Sequence, residues 1–217
     1  TYYTLSTWQS TFGQDSNSVI TDPYFVDSTL VPFSPWMDNM GTPISGITLD
    51  INGATRSETT PDVGAAEFAG FSGSPLSGSY TIGTGGNYTS MDTLQRDLTL
   101  LGINGPVVLN FLEGTHTEPL ALSEVPGSSA LNTITFQSAD QNASSVNWKR
   151  ASIYTDNYTN SYILRLNGTD HVKIKHRTFQ VTGGYHISKL RLSGQTDSIS
   201  VDSVMFIDTY ATNGRSG

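Results

Sequence analysis

The chain has no cysteine, which excludes disulfide staples and thiolate metal sites. Charged residues make up only 14 % of its 217 residues, with 11 Lys and Arg against 19 Asp and Glu. No long basic run occurs, so binding to nucleic acid is disfavoured, because gripping phosphates needs clustered positive charge. No apolar stretch approaches 20 residues and no signal-peptide pattern is present, so the sequence predicts no membrane span in this segment. Gly, Ser, Thr and Asn fill the gap, beside 10 % aromatic residues. β-Branched and aromatic side chains suit a pleated surface, while Gly and Asn supply turn dihedrals. That mix does not suit a helical bundle. It predicts an all-β protein of many short strands.

The strands repeat. Leu164-Arg165-Leu166-Asn167-Gly168, then Val172-Lys173-Ile174, then Phe179, recurs as Leu190-Arg191-Leu192-Ser193-Gly194, Ile199-Ser200-Val201 and Phe206. A period of 26 to 27 residues with three short strands per repeat signals a solenoid, in which each turn buries its apolar face only against its neighbours. Upstream, Met91, Leu94, Leu98 and Leu101 form one stripe at helical period. Thr89 is the expected N-cap, with Asp92 three residues on, and Gly102 the expected stop. The prediction is a short amphipathic helix near 89–101 that covers the first turn. Residues 70–79, rich in Gly and Ser around Pro75, read as a linker. Before it, a helical turn is expected at Leu5 to Ser10, capped by Ser6 or Thr7 and stopped at Gly13. Trp8, Phe25 and Trp36 are expected to plug the open end of a solenoid.

Several ordered motifs carry a resemblance. W-Q-x-x-x-G-Q-D-x-N-S from Trp8, D-P-x-F-V-D from Asp22, Asp50-Ile51-Asn52-Gly53-Ala54-Thr55-Arg56 and Pro61-Asp62-Val63-Gly64-Ala65-Ala66-Glu67 resemble the closing region of secreted right-handed parallel β-helix proteins of Bacteroidota. I-G-x-G-G-x-Y-x-S at 82–90, E-G-T-H-x-E at 113–118 and N-T-I-T-F-Q-S at 132–138 resemble the opening of such a helix. Three departures stand out: Asn52 replaces the usual Asp, His116 the usual Tyr, and H-R-T-F at 176–179 a common N-x-T-F pattern. The resemblance implies the tail of one β-helix module at 1–69, a linker at 70–79 and the head of a second module at 80–217, a window in a longer repeat protein. It further implies type IX secretion, an extracellular or cell-surface location, and a filament or gliding-adhesin role, with surface polysaccharide, other cell-surface components and the secretion machinery as partners. It points to O-glycosylation within Asp-Ser/Thr-apolar triplets, with Ser28, Thr93, Ser198 and Ser203 as candidates.

An enzyme has to be weighed, because polysaccharide lyases share the β-helix architecture. Their chemistry needs stacked carboxylates holding Ca²⁺ beside a Lys or Arg base. Lys173, Lys175, His176 and Arg177 make a basic strand, yet the lysines alternate with Val172 and Ile174 and read as a solvated face. Asp170 and Asp197 lie in the turn before the strand. His116, His171, His176 and His186 share no metal-ligand spacing. Asp50, Asn52, Asp62 and Glu67 form an oxygen-rich turn, for which capping and a salt bridge from Arg56 are the favoured roles over Ca²⁺. The sequence therefore predicts a structural or adhesive module with no catalytic residues, cofactor or metal. The alternative is a carbohydrate-binding or polysaccharide-degrading β-helix.

Overall fold

The computed structural model describes residues 5–16, 18, 22–25, 30–151, 161–183 and 187–209. The chain divides into two compact units, one ending at Gly73 and the other beginning at Ser74.

The second unit is a parallel β-solenoid of about five turns. Its strands in chain order are β1 (Leu76–Ile82), β2 (Ile103–Phe111), β3 (Gly114–His116), β4 (Leu120–Leu122), β5 (Ile134–Ser138), β6 (Val146–Ala151), β7 (Tyr162–Asn167), β8 (Val172–Thr182), β9 (Ser188–Ser193) and β10 (Ser200–Thr209). One face runs β1-β2-β5-β8-β10, a second β3-β6-β8-β10 and a third β4-β7-β9, every pairing parallel. The predicted repeat is the observed register. Leu164 pairs with Leu190 and Leu166 with Leu192, an offset of 26, while Ile174 pairs with Val201 and Phe179 with Phe206, an offset of 27.

Alternation along the strands builds the lumen. Val107, Leu109, Phe111, Ile134, Phe136, Val172 and Ile174 are buried on the first face. Trp148 and Phe179 are buried on the second, and Leu120, Leu122, Leu164 and Leu166 on the third. Each such side chain contributes roughly 1.5–3 kcal/mol when withdrawn from water. β8 and β10 each turn a corner without leaving the ladder. His176 (φ 48°) and Ser203 (φ 54°) adopt left-handed backbone, and the pairs Lys175–Asp202 and Arg177–Val204 flank them, so the two corners stack. The corner shifts the inward phase by one residue: Val172 and Ile174 point inward before it, and Arg177, Phe179 and Val181 after it.

The cap is the helix α2 (Met91–Leu100), which packs on β4. Its N-cap is Ser90 rather than Thr89, with the hydroxyl accepting from Asp92 N at 3.1 Å. Met91, Leu94, Leu98 and Leu100 are buried, whereas Leu101 is a half-buried C-cap residue. Gly102 ends the helix as expected (φ 67°). A Cβ there would lie 2.4 Å from the Pro126 carbonyl oxygen, so both dihedral and space demand glycine. The linker is shorter than 70–79. Gly70 N and Phe71 N donate to Asp38 and to the Phe33 carbonyl at 2.9 and 2.8 Å, and β1 begins at Leu76, so residues 72–75 join Phe71 to the first strand across the boundary at Gly73 and Ser74.

The first unit departs from expectation. Its helix α1 (Leu5–Phe12) contains Ser6 and Thr7 rather than being capped by them, and Gly13 (φ 62°) closes it. Among the described residues no strand ladder follows, only an isolated antiparallel bridge between Leu49 and Thr55. The described residues of the expected β-helix tail at 1–69 are dominated by turns rather than by stacked strands. Trp8, Phe25 and Trp36 are 37 %, 49 % and 41 % exposed. Trp8 packs on Phe12, with ring centroids 4.4 Å apart.

Candidate functional site

The least expected side chain in the solenoid is Arg177. The basic strand predicted as a solvated face is exposed at Lys173 and half-buried at Lys175 and His176, but Arg177 is fully buried. The left-handed corner at His176 explains the correction, since it turns Arg177 into the inward phase. The guanidinium carbon sits 3.8 Å from the Phe111 ring centroid, 5.0 Å from Trp148 and 5.8 Å from Phe179. None of its three nitrogens has a hydrogen-bond partner among the described residues. Burial lowers its pKa to about 9, so it stays charged at neutral pH. Desolvating an ion costs several kcal/mol, while a desolvated cation–π contact returns about 2 kcal/mol. The rings alone do not offset the burial.

Phe111 also has Ser138 as a neighbour. This residue pairs with Phe111 in the neighbouring turn and is fully buried. Its hydroxyl meets no partner at hydrogen-bonding distance, although it lies close enough to Asp140 to stabilise that carboxylate weakly. Asp140 itself is exposed and bonds outward to Ser145 Oγ at 2.6 Å and Asn142 N at 3.0 Å.

Phe111 also meets His116, edge-on with ring centroids 5.1 Å apart. It lines a groove of about 230 Å³ with Gly83, Thr84, Glu113, Thr115 and Glu118. Its Nε2 is 2.9 Å from the Leu112 carbonyl oxygen, which places the imidazole proton there. Burial pushes its pKa below the ordinary histidine value, so the ring is neutral at pH 7 and Nδ1 is an acceptor. A Cβ at Gly83 would lie 3.0 Å from Cε1, so the ring needs glycine beside it. Glu118 ties the groove together. Its carboxylate accepts from Met91 N at 2.6 Å, and its carbonyl accepts from Trp148 Nε1 at 2.8 Å.

The oxygen-rich turn of the first unit is a closed network. Asp50 accepts from the amides of Asn52, Ala54 and Glu67 at 2.8, 2.7 and 2.9 Å. These bonds, that from Glu67 first, hold its pKa below the usual carboxylate value. Asp62 accepts from Asn39 N and Phe68 N at 2.7 and 2.5 Å. Arg56 donates to the carbonyls of Asp62 and Gly64 and lies 3.3 Å from the Glu67 carboxylate. Capping and the Arg56 ion pair, the favoured roles, are the ones observed. No group of three His, Cys, Asp or Glu is placed to hold a metal ion among the described residues.

The triplet candidates do not form one site. Ser28 lies outside the described residues, as does His186. Thr93 is half-buried on α2. Ser198 and Ser203 are exposed at two left-handed corners of the fifth turn (φ 55° and 54°). Each hydroxyl bonds the carboxylate of the preceding Asp, at 2.9 and 3.0 Å. Asp170 and Asp197 do stack across turns, with Asp197 N donating to Asp170 Oδ1 at 2.6 Å.

Arg177, Ser138 and the Glu118 bridge were not recognised from sequence. The available signal was the change of apolar phase between Val172/Ile174 and Phe179/Val181, which forces the intervening cation inward. Comparison with family models, with curated proteins and with solved structures found no match.

Proposed function

We propose that this chain is a structural and adhesive module of a large secreted cell-surface repeat protein, and not an enzyme. The observation that carries the reading is the parallel β-solenoid of about five turns, with strands stacked in register from turn to turn. Stacked turns make a rod that lengthens with turn number. The extracellular setting, type IX export and cell-surface partners rest on the sequence resemblance.

Electron microscopy of the native full-length protein, with antibody labelling of intact cells, tests this. A rod of constant width that labels from outside is expected. A compact particle confined within the cell refutes it. A polysaccharide-binding reading draws on the His116 groove, whose threonine and glutamate lining offers donors and acceptors to hydroxyl groups. Binding on a glycan array that His116→Ala abolishes would favour it.

A further inference from the structure

The solenoid lumen contains a cation that no carboxylate among the described residues bonds. Arg177 is wholly buried, all its guanidinium nitrogens are without a hydrogen-bond partner among the described residues, and the rings of Phe111, Trp148 and Phe179 surround it. Buried charges in proteins are paired or hydrogen-bonded, and an orphaned buried donor calls for an unseen partner. Ser138, which pairs with Phe111 in the neighbouring turn, carries a buried hydroxyl that meets no partner at hydrogen-bonding distance and lies near the Asp140 carboxylate. We propose that Arg177, assisted by Ser138, binds one small monovalent anion of the halide class inside the lumen.

The chemistry selects the class. A single guanidinium neutralises one negative charge, so a divalent oxyanion would be left with excess charge in an apolar surround. Aromatic walls offer no hydrogen bonds to the outer oxygens of a phosphate or sulfate. A chloride ion, spherical and more easily dehydrated, needs only the N–H and O–H donors that Arg177 and Ser138 supply. Glu113 and Glu118 line the His116 groove, and Asp140 turns outward to Ser145 and Asn142. No carboxylate among the described residues accepts from the guanidinium.

The test is thermal unfolding of the chain at constant ionic strength in sodium chloride, sodium bromide or sodium gluconate, with bromide anomalous scattering from crystals. The midpoint should rise with chloride and bromide over gluconate, by about 2–4 °C at five times the dissociation constant. Arg177→Met should abolish the halide dependence and Ser138→Ala should weaken it. A bromide peak should lie beside the guanidinium. Equal midpoints in all three salts, an undiminished halide response in the folded Arg177→Met variant, or bromide only at surface positions would each overturn the proposal. If Arg177→Met does not fold, the bromide peak and the Ser138→Ala response decide.

Discussion

Trp148 gives the most demanding test of the lumen. The indole is fully buried between Phe111 and Phe179, at centroid distances of 5.2 and 5.6 Å, with Phe136 at 6.5 Å. Truncation to alanine removes the ring from a close-packed stack and leaves a cavity, a change that costs about 3–5 kcal/mol. It also removes the Nε1–H donor from the Glu118 carbonyl, which adds about 1 kcal/mol. The sum, roughly 4–6 kcal/mol, is a large part of the 5–15 kcal/mol typical of a domain. Trp148→Phe keeps most of the ring contacts but not the donor, so it should lose about 1–3 kcal/mol. Urea unfolding followed by circular dichroism measures both. Fluorescence reports the same event, because Trp8 and Trp36 belong to the other unit and are partly exposed. A Trp148→Ala variant that unfolds within about 1 kcal/mol of the parent would refute the claim that the indole fills the lumen.

The stacked corner makes an opposite prediction. Left-handed backbone costs an L-residue about 1–2 kcal/mol, so His176→Gly should raise stability by about 0.5 kcal/mol and His176→Val should lower it by at least 1 kcal/mol, both by chemical denaturation. Because the folded pKa of His116 is depressed, its neutral form contributes stability above the unfolded value near 6.5. That stability is lost as pH falls through the lower folded value, so the solenoid should weaken between pH 7 and 5, and histidine resonances should place the His116 transition below 6.5. Asp50 follows the same sign. Its network is intact above pH 4 and is lost as pH falls through its depressed folded pKa, so near-ultraviolet dichroism of the first unit should collapse in acid, and Asp50→Asn should remove that transition.

The solenoid was legible because its signal is translational. Leu164/Leu190 and Phe179/Phe206 repeat at the spacing of one turn, and stacking of like on like is the physical consequence. The cap helix was legible from its apolar stripe, with its N-cap misplaced by one residue between two neighbouring hydroxyl residues, Thr89 and Ser90. The first unit was not legible. Its motifs set local turns through Asp50, Asp62 and Arg56, and such turns say nothing about whether strands lie beyond them. Arg177 was missed because strict alternation fails at a residue of positive φ, and His176 has no glycine or asparagine to mark it.

The ladder hydrogen bonds of the solenoid join turn to turn, so they lie along the stacking axis, while the covalent chain winds around it. A load applied along that axis therefore bears on the hydrogen bonds of one turn at a time. Peeling a 27-residue turn such as the one from Ile174 to Val201 frees roughly 90 Å of extended chain where about 5 Å of stacked height existed before. The module should act as a shock absorber, yielding in even sawtooth steps of one turn each and re-forming turn by turn when the tension drops.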